Sequence, residues 1–235
     1  MIRRDTPLVL FDIDGTLVHC GPTHCGPTPR RAFKRALEQT FGTAGPIDSW
    51  IFDGKTDPMI VRELMAAAGV ACDQERIDQA LGRYARDLEH QLAAEPARKV
   101  YPGVPGLLDG LDKTGVPLGL LTGNIRAGAL AKLSSLGLWH RFAFGAFADD
   151  SAVRRELADV AVARAFDHSG RRFTGKKIVI IGDTEHDVAC GRHLGAKAIG
   201  VGTGRATREQ LLAHGADHAF ADLSDTAAVL AAIMG

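Results

Sequence analysis

Leu8-Val9-Leu10-Phe11-Asp12-Ile13-Asp14-Gly15-Thr16-Leu17 joins an apolar run of strand length to two carboxylates spaced i, i+2. The unbroken Leu, Val and Phe predict a buried strand. On an extended chain, positions i and i+2 share a face, so the spacing predicts that Asp12 and Asp14 begin by pointing the same way. Gly15 permits a sharp exit or a close backbone approach. Two acids at the end of a buried strand require a cation or hydrogen bonds to compensate them. A capped turn uses similar residues, but the apolar run before the acids makes the whole stretch more specific than a lone Asp-x-Asp.

Downstream, two more apolar runs end in polar chemistry. Leu118-Gly119-Leu120-Leu121 leads into Thr122-Gly123-Asn124, and Ile178-Val179-Ile180-Ile181-Gly182 leads into Asp183-Thr184-Glu185-His186-Asp187. Thr122 offers a hydroxyl, and the backbone at Gly123 can come close to an anion. Asp183 and Asp187 are placed to turn toward one pocket while Thr184 caps the following helix. Helical spacing alternates with these runs to the end of the chain, with further strands near 198–201 and 218–220. That alternation predicts a parallel sheet covered on both faces. In open sheets of this kind, ligands bind beyond the carboxyl ends of the strands.

Residues 18–97 read differently. Thr28-Pro29 predicts a helix start, followed by apolar positions at helical spacing to Phe41. A second helix is predicted from about Asp57, and a third from about Asp73 to Ala94. No strand is predicted in this interval, which is of domain size. It also contains His19-Cys20-Gly21-Pro22-Thr23, repeated at once as His24-Cys25-Gly26-Pro27-Thr28. Two His and two Cys are in principle a zinc set, but the separated ligand pairs of such sites are missing, so the repeat reads as a duplicated loop. The four cysteines, Cys20, Cys25, Cys72 and Cys190, include no Cys-x-x-Cys pair and predict reduced thiols.

Lys plus Arg equals Asp plus Glu at 28 each, so overall charge gives no reason to expect nucleic acid or an anionic membrane as partner. No apolar run has the length of a membrane span, and the first one is cut short by Asp12. A cytoplasmic protein is the expectation. Oligomeric state is not legible.

The three strand-end stretches, in this order, resemble the motifs of the haloacid dehalogenase (HAD) superfamily. The resemblance implies an α/β fold: a Rossmann-like parallel sheet core formed by residues 1–17 plus 98–235, with residues 18–97 as an inserted all-α cap domain. It implies that Asp12 is the nucleophile and Asp14 the general acid and base. Thr122, Gly123 and Asn124 would hold the phosphoryl group, and Asp12, Asp14, Asp183 and Asp187 would hold Mg2+, Asp187 directly or through water. Members commonly carry a Lys between the second and last motifs. Here Asp149-Asp150-Ser151-Ala152-Val153-Arg154-Arg155 has none, and it is similar to the Asp-Asp-Ser-x-x-Arg of some phosphoglycolate-phosphatase-like members. That points to Arg154 as the phosphate-binding cation, with Arg155 second. Lys176 and Lys177 fall before a strand, on the wrong side of the sheet. Phe52-Asp53-Gly54-Lys55-Thr56-Asp57 resembles the cap segment that overhangs the site, with Lys55 as a candidate contact to a substrate anion. The implied activity is Mg2+-dependent hydrolysis of a small phosphorylated metabolite through an aspartyl-phosphate. Alternatives are a sugar-phosphate mutase, whose usual His is replaced here by Pro29 ahead of Ala32-Phe33, and a non-catalytic phosphate-metabolite-binding protein.

Overall fold

The structure is a computed structural model and describes residues 6–19, 27–94 and 99–235. In chain order, the first elements are β1 (Leu8–Phe11), β2 (Val18–His19), α1 (Pro27–Phe41), α2 (Asp57–Ala67), α3 (Gln74–Ala94) and β3 (Lys99–Val100). There follow α4 (Val104–Thr114), β4 (Leu118–Leu121), α5 (Arg126–Ser134), β5 (Phe144–Ala146), α6 (Arg154–Ser169) and β6 (Ile178–Gly182). The chain closes with α7 (Glu185–Leu194), β7 (Lys197–Val201), α8 (Arg208–Ala213), β8 (His218–Phe220) and α9 (Thr226–Met234).

Six strands form one parallel sheet in the order β5-β4-β1-β6-β7-β8. β1 lies inside it, with Leu10 opposite Gly119 on one side and Ile180 on the other. Its alternation feeds both faces. Val9 and Phe11 join the apolar cluster under α4, α5 and α9, while Leu8 and Leu10 join the cluster under α6. The chain runs outward from β1 to β4 and β5, then crosses to β6 on the other side of β1. The order therefore switches direction at β1, and the carboxyl ends of β4, β1 and β6 open on one crevice.

Helices α1, α2 and α3 carry their own apolar cluster, built on Phe33, Leu37, Leu64, Met65, Tyr84 and Leu88. The predicted absence of strands in 18–97 is corrected at its edge: β2 pairs antiparallel with β3, Val18 opposite Val100 and His19 opposite Lys99. A two-residue strand has no periodicity to read. Helix α1 begins at Pro27, which places Thr28 within its first turn instead of at its cap. Residues 20–26, which hold most of the duplicated His-Cys-Gly-Pro-Thr, lie outside the described residues. Among the described residues, no helix is long and apolar enough to cross a membrane.

Candidate active site

The three predicted strand ends converge. Beyond Phe11 the chain leaves the extended conformation, and Gly15 takes φ +85°, where a Cβ would overlap the Asp183 carboxylate. Asp12, whose N–H still donates to Ile181 O of the sheet at 3.0 Å, and Asp14 line one cavity but take different partners. Asp12 Oδ1 lies 3.1 Å from Arg154 Nη2. Asp14 Oδ2 accepts from Lys132 Nζ at 2.6 Å and from Asn124 Nδ2 at 2.8 Å.

Arg154 is the first residue of α6, a position where a cation opposes the helix dipole. Two carboxylates offset this: besides Asp12, Asp187 Oδ1 lies 2.5 Å from Nη2. Arg154 Nε is buried with no hydrogen-bond partner among the described residues, a donor left over in a polar pocket. Lys176 instead donates to Ala196 O and Asp217, at the amino-terminal side of the sheet.

Asp183 follows β6 and accepts from the Thr16 hydroxyl at 3.1 Å. Asp187 Oδ2 accepts from both the backbone N–H and the hydroxyl of Thr184, at 3.1 and 2.8 Å. Thr184 is the N-cap of α7 as expected, and Asp187 reaches back to it to complete a capping box over the first turn. Thr122 is fully buried, and its hydroxyl accepts from Asn124 Nδ2 at 2.8 Å.

Oxygens of Asp12, Asp183 and Asp187 come within 4.8 Å of one another, and all three residues are buried. Burial and the neighbouring negative charges push Asp12 up to about 6, against the pull of Arg154. The same causes hold Asp183 well above the ordinary carboxylate range. Three buried acids facing one Arg are undercompensated, and a hard, oxygen-seeking divalent cation fits that donor set. The carboxylate of Asp14 stands apart, turned to Lys132 and Asn124.

Two residues to which the sequence reading gave no role of their own join the site. Lys132 on α5 is 2% exposed and also bonds Asn124 Oδ1 at 2.6 Å. Asp57, the first residue of α2, is buried; its Oδ2 accepts from Ile125 N at 2.8 Å, and its N–H donates to Gly123 O at 2.8 Å. Burial pushes Asp57 up to about 7, despite the opposing charge of Lys132. The preceding Thr56 hydroxyl donates to Ala152 O at 2.7 Å. The segment 52–57 therefore rests on the backbone beyond β4 and β5. Lys55 lines the same cavity, and its Nζ lies 2.5 Å from Glu63 Oε2. Asp12, Asp14, Thr122, Gly123, Asn124, Arg154 and Asp183 form one wall, with Phe52, Ile60 and Tyr84 opposite. They line a half-open cavity of about 50 Å³.

A family model described as haloacid dehalogenase-like hydrolase matches residues 9–192. Phosphoglycolate phosphatase of Rhodospirillum rubrum is 30% identical over 224 residues, covering 92% of this chain and 87% of that protein. Phosphoglycolate phosphatase of Cereibacter sphaeroides is 29% identical over 196 residues, covering 81% and 83%. Among solved structures, a hydrolase from Pseudomonas syringae has a similar fold, with a TM-score of 0.73 at 20% identity over 96% of this chain and 98% of its own.

Proposed function

Because the chain belongs to the haloacid dehalogenase-like hydrolase family, we propose that it is a phosphatase acting on a small phosphomonoester. The observation that carries this reading is the placing of Asp12, against Arg154 and beside Asp183 and Asp187, at the mouth of the strand-order switch. Asp12 attacks phosphorus and becomes an aspartyl-phosphate, and the alkoxide of the ester leaves. Asp14 gives that oxygen its proton, then takes one from the water that hydrolyses the acyl-phosphate. Lys132 and Asn124 hold the Asp14 carboxylate in place, apart from the acid cluster. Arg154 and the backbone at Gly123 face the charge spread over the phosphoryl oxygens.

Asp12, Asp183 and Asp187 would hold a divalent cation, which we read as Mg2+, and its charge would stabilise the phosphoryl oxygens and keep Asp12 ionised. Residues 18–97 act as a cap that closes over the ester and excludes bulk water. The relatives named phosphoglycolate phosphatase support a small substrate, and the narrow cavity agrees with it.

The test is phosphate release from a panel of small phosphomonoesters with Mg2+. Turnover is expected in the wild type and is lost in Asp12→Asn and with a chelator. Folded wild-type protein that releases no phosphate from any ester would overturn the reading.

A further inference from the structure

The charge pattern of the cavity narrows the leaving group, an inference that rests on the phosphatase reading. Among the described residues lining the cavity, the cations are Lys55, Lys132 and Arg154. Each already faces a carboxylate: Glu63 for Lys55, Asp14 for Lys132, Asp12 and Asp187 for Arg154. Lys132 and Arg154 stand on the wall that carries the reacting acids. Lys55 is the cation that the segment 52–57 brings to the cavity, and a leaving group lying against that segment meets it.

Lys55 is held from within the helical unit itself. Glu63 Oε2 accepts from its ammonium at 2.5 Å and from Trp50 Nε1 at 3.1 Å. The ammonium also lies 5.4 Å from the centre of the Trp50 ring. The cavity is also lined by Phe52, Ile60 and Tyr84, together with the acids Asp53 and Asp57. A carboxylate-bearing leaving group would have to compete with Glu63 for Lys55. An uncharged hydroxyl or alkyl group meets no such opposition.

We propose that Glu63 is a positioning residue for specificity: by holding Lys55 it restricts the site to phosphomonoesters whose leaving group carries no negative charge. The discriminating pair is 2-phosphoglycolate and 2-hydroxyethyl phosphate, close in size and different in charge. Wild type is expected to show the higher kcat/KM on the hydroxyethyl ester, by about tenfold or more. Glu63→Gln keeps an acceptor for Trp50 and releases the Lys55 charge. It is expected to raise kcat/KM on phosphoglycolate by about tenfold, while the hydroxyethyl ester changes little. Adding Lys55→Met should abolish that gain. The same esters are titrated by calorimetry into Asp12→Asn protein, with and without Glu63→Gln, so that binding is read apart from turnover.

A wild type that favours phosphoglycolate, or a ratio that Glu63→Gln leaves unmoved, overturns this inference while the phosphatase reading stands. Neither turnover nor binding of any ester overturns both. Binding without turnover, ordered by charge and shifted by Glu63→Gln, supports the inference and removes the phosphatase reading.

Discussion

At the scale of single residues, the site is a set of buried charges that hold one another in place. Removing one partner strands the other. Lys132→Met is expected to cost about 3–5 kcal/mol of stability, the usual result of breaking a buried pair. It should lower kcat at least about tenfold, because Asp14 and Asn124 lose a common anchor. Urea denaturation and turnover measure the two effects, and unchanged values for both would remove Lys132 from the site. Asp57 gives a pH signature. Unfolded, it loses its proton near 3.8; folded, it holds the proton to about 7. The native state binds more protons across that window, so this group makes stability fall as pH rises through it. Asp57→Asn keeps an acceptor for Ile125 N–H and removes the titration. Its Tm should decline less between about pH 4 and pH 7 than the wild type's. Asp12, Asp14, Thr122, Asn124, Arg154, Asp183 and Asp187 were legible because each follows a readable strand or stands beside a quoted motif. Lys132 was not, because a Lys within Ala and Leu looks like an exposed helix residue. Its signal was position: Ala129, Lys132 and Leu133 fall on one helical stripe, and all three are buried.

At the scale of elements, close approach replaces side-chain chemistry. The loop after β4 passes beneath the segment 52–57, and a Cβ on Gly123 would overlap the Lys55 carbonyl oxygen. Gly123→Ala should therefore lift that segment off the loop. The Asp57 N–H to Gly123 O bond is lost, and kcat/KM should fall about a hundredfold or more. Tm should change far less, because the apolar clusters on both faces of the sheet are untouched. An alanine variant with wild-type kinetics would show that the segment is free to shift. The long strands were legible because β1, β4, β6 and β7 are buried at every position, so their sequences read as apolar runs. β2 and β3 were not, because their pairing depends on where the two chain crossings meet in space.

At the scale of the whole molecule, three kinds of contact join the segment 52–57 to the elements around the sheet. These are Asp57 and Thr56 on backbone groups, Asp53 at 3.4 Å from Arg205, and Gly54 against the ring of His186. Beside them α3 packs directly on α5, with Tyr84 and Leu88 close to Gly128 and Ile125 inside the helical apolar cluster, so segment and helix together set the height of the ceiling. A cavity of about 50 Å³ holds only a few water-sized groups. Two-carbon phosphomonoesters are therefore expected to be hydrolysed with a kcat/KM about tenfold or more above that of a hexose phosphate. Steady-state rates on both decide it, and equal rates would mean that the ceiling rises freely. The sequence carried the change of pattern, since one interval repeats helices while the flanking chain alternates them with strands. The seat of α3 on α5 was hidden, because it joins residues far apart in the chain, and the contacts of 52–57 were hidden because several go to backbone groups.

The ribbon of β2 and β3 has one more consequence. Both crossings between the sheet and the helices run through it, clasped side by side. The first crossing is also tied back to the turn that carries Asp14, through Gly15 N to Val18 O and Val18 N to Ile13 O. Two separate tethers would anchor the helices to the sheet at two unrelated places. The clasp brings both to one place, and that place is bonded to the backbone on either side of Asp14. A change in the ribbon is therefore felt first at the turn that carries this acid.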